Sequence, residues 1–137
     1  MHSHRLHLKT FAMILIMVLA GPVGNVLLSK GMKAIGKITP ASLTDIGPLF
    51  IRVFTNGTIW LGIAFLITFF VAYMLVLSWA DYSYVQPASS VAYGVVALLG
   101  MLVLGEKVSP LRWAGIAVIC LGVLIVGQTS PRTTEHR

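Results

Sequence analysis

Charge is scarce in this sequence. Ten Lys and Arg and four Asp and Glu account for 10% of its 137 residues, against roughly 25% in an ordinary soluble domain. Disorder is excluded as well, because disordered chains are poor in apolar residues and rich in charge. Cysteine is almost absent. Cys120 stands alone within an apolar run, so it closes no internal disulfide and reads as a small packing residue. Acids number only four, and Asp81 and Glu106 stand at opposite ends of one apolar run rather than paired inside it. No H-E-x-x-H, P-loop or G-x-S-x-G occurs, so no enzyme chemistry, cofactor or metal is expected. His2, His4 and His7 read as a loose N-terminal fringe rather than a metal site. The net charge of +6 does not point to nucleic acid, because the basic residues are scattered between apolar runs. That scatter suits helix ends beside anionic headgroups.

Apolar length is what the sequence has. Hydrophobic residues make up 57% of it, and its mean hydropathy is +0.89. About 20 apolar residues cross roughly 30 Å of hydrocarbon as a helix. Four such spans fill the chain, so the expected fold is all-α, a four-helix membrane bundle forming a single domain over residues 1–137.

The first span is expected over about 11–29. Pro22 inside it cannot donate to the carbonyl of Val18, which predicts a kink or local loosening. A cleaved signal peptide is the competing reading, with Arg5 and Lys9 as its basic region and Val18-Leu19-Ala20 as its cleavage signature. The apolar run continues past Ala20 to Leu28, which favours a span. Next comes the longest connection. Within it, Leu43, Ile46, Phe50 and Val53 recur at helical spacing, with Ser42 or Thr44 as a cap. This segment, about 42–54, reads either as an interfacial helix or as a structured loop. The second span, about 58–80, is framed by Trp60 and Trp79, as suits headgroup depth. The third, about 82–104, follows Asp81 as N-cap. The fourth, about 110–128, opens on Ser109 and Pro110, a strong helix start. The tail after Thr129 is polar and expected to be loose. With four spans both termini share a side. They carry four basic residues against six on the other side, a difference that leaves dual insertion open.

The spans carry polar groups that lipid does not tolerate. Asn25 and Ser29 lie in the first, Tyr73 and Ser78 in the second, and Tyr84, Gln86, Ser89, Ser90 and Tyr93 in the third. For a lone Ser the plain reading is an interhelical hydrogen bond. For the cluster the reading is a substrate-facing cavity built from Asn25, Tyr73, Tyr84, Gln86, Ser90 and Tyr93. Pro87 there would free the carbonyl of Ser83, and such broken helices line transport sites. Gly94 and Gly100 permit close packing in the third span. Gly115 and Gly122, seven apart in the fourth, are either ordinary packing positions or a dimer seam. Four helices enclose little space, so alternating access would need a second half, either a homodimer or a homologous partner.

These residues form a familiar pattern. Tyr84 and Pro87, then Gly105-Glu106, Ser109-Pro110, Trp113, Gly115 and Gly122-Val123 resemble the C-terminal half of an EamA-type repeat of the drug/metabolite transporter superfamily. Gly24-Asn25 and Lys30-Gly31 look like the first helix of the same repeat. The resemblance covers about residues 11–128 and implies a multi-pass transporter of the bacterial inner membrane. Most members fuse two repeats; this chain holds one. It is similar to the paired four-helix subunits that flip aminoarabinose-phosphoundecaprenol, and their cargo would make Lys30, Lys33 and Arg52 headgroup ligands. It is also similar to the small multidrug resistance proteins, which exchange protons for cationic drugs through a buried glutamate in the first helix. The matching stretch here, Ala20–Asn25, holds no acid. Glu106 matches a position of the superfamily and reads as either a helix-end residue paired with Lys107 or Arg112, or a gate. A membrane scaffold without transport is the third alternative.

Overall fold

The apolar segments are helices in the computed structural model, which describes residues 2–36 and 46–131. In chain order they are α1 (His2–Ile35), α2 (Ile46–Thr55), α3 (Gly57–Leu77), α4 (Tyr82–Ser89), α5 (Ala92–Val103) and α6 (Pro110–Gly127). Among the described residues there is no strand. Four stretches are long and apolar enough to cross a membrane: Arg5–Ile35, Gly57–Leu77, Tyr82–Val103 and Pro110–Gly127. The chain is thus an all-α, multi-pass integral membrane protein.

The first helix begins at His2, where a loose fringe was expected, and continues beyond the apolar run to Ile35. Lys9 and Lys30 stand 21 residues apart on it, roughly 32 Å along the axis. That matches the thickness of the hydrocarbon and places both ammonium groups at its borders. The helix also continues through Pro22. The reason lies in its neighbour. Pro22 is fully buried, and α3 clamps α1 on either side of it through Gly21 and Gly24.

That clamp is the tightest contact in the bundle. A Cβ on Gly24 would lie 2.9 Å from the carbonyl oxygen of Gly62, and one on Gly62 would lie 2.9 Å from that of Gly24. Backbone meets backbone at this crossing because neither glycine presents a side chain. Two turns further along α1, a Cβ on Gly31 would collide with the Ile59 side chain. Farther along, Met17, Ala72, Val76, Ala80 and Val85 join α1, α3 and α4 in one buried cluster. Buried Thr10 closes this end by accepting a hydrogen bond from Trp79 Nε1 at 3.1 Å.

Local signals set the helix ends. Asn56 caps α3 by accepting from the Thr58 and Ile59 amides. Ser109 caps α6 by accepting from the Arg112 amide, with Pro110 in the first turn. Asp81 occupies the N-cap position of α4 without a side-chain capping bond. Its backbone N–H instead donates to the Pro131 carbonyl at 2.9 Å. Pro131, at the start of the polar tail, is fully buried; the rest of the tail, 132–137, lies outside the described residues. The third span is interrupted by a tightened turn: α4 ends at Ser89 and α5 begins at Ala92, while Ser90 and Val91 between them keep right-handed helical dihedrals. Pro87 sits one turn before the break, where its ring and missing N–H weaken the ladder. Ser90 bridges the break by donating its hydroxyl to the Pro87 carbonyl.

The segment expected as an interfacial helix or a structured loop is helical over Ile46–Thr55; its expected start and its caps Ser42 and Thr44 lie outside the described residues. It leaves Ile46, Phe50, Ile51 and Phe54 exposed, an apolar surface of the kind an interfacial helix would present. Phe50, Phe54 and Trp60 form an aromatic chain with centroids 4.4 and 6.0 Å apart. Trp60 Nε1 donates to the Phe54 carbonyl at 2.7 Å, which fixes α2 to the start of α3.

Candidate functional site

The break in the third span positions the polar residues. Gln86, Ser89 or Ser90, and Tyr93 recur at three-, four- and seven-residue intervals, so they share one helical face. That face meets Asn25 of α1 and Phe69 of α3 across an open cavity of about 240 Å³. Gly21 and Pro22 floor it beside Met17. Four residues singled out in the sequence, Asn25, Gln86, Ser90 and Tyr93, therefore line one space. Ser89 joins them. The Ser89 and Ser90 hydroxyls donate to the carbonyls of Gln86 and Pro87, and keep only acceptor capacity for anything else. The side chains of Asn25, Gln86 and Tyr93 make no hydrogen bond to the described residues. Tyr93 is 61% exposed.

Tyr73 and Tyr84 do not line this cavity. Tyr73 lies one turn beyond Phe69 and stacks on it with centroids 6.1 Å apart. Phe69 takes the lining position and Tyr73 packs against the buried cluster. Tyr84 is two residues from Gln86, about 200° around the helix. It lines a separate, apolar groove of about 590 Å³ between α1, α4 and α6, with Val18, Ala88 and Val123. Phe69 was not singled out in the sequence, where nothing distinguishes it from the other aromatics of α3.

The basic residues divide. Lys30 and Arg52 are exposed on α1 and α2. Lys33 is engaged, donating to Glu106 Oε1 at 2.9 Å. The partner of Glu106 is thus Lys33, not Lys107 or Arg112. Gly105 explains the choice. Its left-handed φ of 65° turns the chain back, and the Leu104 and Glu106 amides both donate to the Gly100 carbonyl. The carboxylate then lies over Gly100, 3.2 Å from where a Cβ would be, and faces the end of α1. Both partners are about half exposed, so the pair is worth roughly 1 kcal/mol or less. In a double-mutant cycle, Lys33→Met and Glu106→Gln are expected to show a coupling of that size by thermal unfolding in nanodiscs. Gly100→Ala should lower the coupling by displacing the carboxylate, and additive single effects would show that the contact carries no energy.

The fourth span stands apart. Helix α6 buries none of its residues, and its main contact is with α4. Leu111, Val118, Leu121, Leu124 and Ile125 are exposed. A Cβ at Gly115 or Gly122 would meet nothing within 4 Å, so neither glycine serves packing within the chain.

No family model and no solved structure matches the chain. Two curated relatives do. One is a "Probable 4-amino-4-deoxy-L-arabinose-phosphoundecaprenol flippase subunit ArnE" of Pseudomonas savastanoi pv. phaseolicola (strain 1448A / Race 6), 34% identical over 70 residues. That match covers 51% of this chain and 61% of the relative. The other is an "Uncharacterized transporter in cobO 3'region" of Sinorhizobium sp, 36% identical over 55 residues, 40% of this chain and 39% of the relative. The chain thus spans less than two thirds of either relative. Their names are those of a transporter and a flippase subunit, and with the four apolar helices they fit a small EamA-like membrane protein of the drug/metabolite transporter type.

Proposed function

We propose that this chain is one half of a membrane transporter of the bacterial inner membrane, working as a dimer by alternating access. The cargo is a small polar metabolite or a lipid-linked sugar. The observation that carries this reading is the cavity itself. Asn25, Gln86 and Tyr93 open polar groups into a space within an apolar bundle, and such groups are costly against lipid unless something polar meets them. The broken third span supports the reading, because interrupted helices supply the irregular backbone that transport sites use. The name of the flippase relative supports a subunit rather than a complete machine. Proton–cation exchange is less well supported, since the cavity wall holds no carboxylate.

The second half meets this one at α6, where Gly115 and Gly122 leave room for a close helix. Native mass spectrometry in nanodiscs tests this. Wild type is expected to be a dimer, and Gly122→Leu should weaken it roughly tenfold, equivalent to about 1.4 kcal/mol. A dimer that survives the substitution moves the seam away from α6. A strict monomer overturns transport by this chain with a second copy of itself.

A further inference from the structure

We propose that the cavity admits an uncharged, hydroxyl-bearing group such as a glycosyl ring, and selects against both ammonium and phosphate. This rests on reading the cavity as the cargo site and specifies what it takes. Asn25 and Gln86 each bring one amide, with two donors and an acceptor oxygen. Tyr93 adds a hydroxyl, Ser89 and Ser90 add acceptor oxygens, and Phe69 adds an apolar ring face. None of these bears a formal charge at neutral pH. An ammonium site needs acceptors alone, preferably with a carboxylate; a phosphate site needs donors alone, preferably with Arg or Lys. The wall is mixed, and a sugar hydroxyl, which both donates and accepts, matches it.

Nearby charge does not change this. The acid and base at the α1–α5 end, Glu106 and Lys33, neutralise each other at 2.9 Å. Arg112 and Glu106 line the adjoining space between α5 and α6, which shares Tyr93 and Val96 with this cavity, and no charged side chain lines the cavity itself. An ion entering the cavity would find no counter-charge on its wall to replace the water it sheds. Size agrees. At about 240 Å³ the cavity lies below the roughly 300–1,000 Å³ of pockets for drug-sized ligands, so it holds one small ring. The amino group in the name of the flippase relative's cargo would find no carboxylate on this wall.

Saturation-transfer NMR on the chain in nanodiscs decides the matter, with glucose, glucosamine in slightly acidic buffer and glucose 6-phosphate as matched probes. Glucose is expected to bind at least tenfold more tightly than either charged sugar. Gln86 is exposed, so Gln86→Glu leaves packing intact and should reverse the preference toward glucosamine. If a charged sugar binds as well as glucose and its signal vanishes in Asn25→Leu, the cavity remains the cargo site and charge selection is overturned. If none of the three binds, or if binding is indifferent to Asn25→Leu, the cargo site itself is overturned and this inference with it.

Discussion

Gly62→Val is expected to take the bundle apart, lowering its stability by about 3 kcal/mol, the upper end of what overpacking typically costs. A Cβ at Gly62 would lie 2.9 Å from the Gly24 carbonyl oxygen and 3.0 Å from the Leu28 amide nitrogen. Both are backbone atoms of a helix, so no rotamer change relieves the clash. The two helices must separate along the face that holds Gly24 and Gly31, and the buried cluster around Met17 and Val76 opens with them. Gly115→Val is the control, because a Cβ there touches nothing within the chain. Thermal unfolding in nanodiscs, followed by circular dichroism, should show Gly62→Val far below wild type and Gly115→Val unchanged for the monomer. Equal stability of Gly62→Val and wild type would mean that α1 and α3 do not meet through their glycines.

This seam also marks the limit of what the sequence discloses. The four-span, all-α plan follows from hydropathy and length alone, because lipid imposes one rule on every residue that faces it. The start of α6 is equally plain, since Ser109 and Pro110 act within one turn. Partners distant in sequence leave no such trace. Lys33 and Glu106 are 73 residues apart, and only the left-handed turn at Gly105 brings them together; local reasoning offered Lys107 and Arg112 instead. The glycines of spans three and four drew notice as contact points, yet those of α1 and α3 make the close approach. Glycine tells where a helix can come near, not which helix does.

The candidate cavity was legible in part for the same reason. Helical periodicity places Gln86, Ser90 and Tyr93 on one face whatever surrounds them, and Tyr84 on another. Pro22 and Pro87 show the converse. Each removes the same backbone hydrogen bond, but α1 stays helical where α3 holds it and the third span is interrupted beside a cavity. Local chemistry sets the weakness; packing decides whether it opens.

The pair Asn25→Leu and Gln86→Leu carries the sharpest functional expectation, because transport and stability should move in opposite directions. Neither amide has a partner among the described residues, and both are exposed on the cavity wall. Were they structural, replacing them would cost about 1 kcal/mol each in lost hydrogen bonds. Without such bonds, replacing a polar group by an apolar one of similar size holds or raises stability in a membrane. Two hydrogen bonds to cargo at about 1 kcal/mol each correspond to a roughly 30-fold loss. Counterflow of labelled glucose in proteoliposomes should fall by that factor in the double variant, while its unfolding temperature and dimer fraction match or exceed those of wild type. Lower stability with normal flux would make the amides structural and the cavity incidental. Normal flux with normal stability would remove these two side chains from the pathway. Absent flux in wild type, with a dimer present, would favour a membrane subunit that holds a partner rather than one that moves a solute.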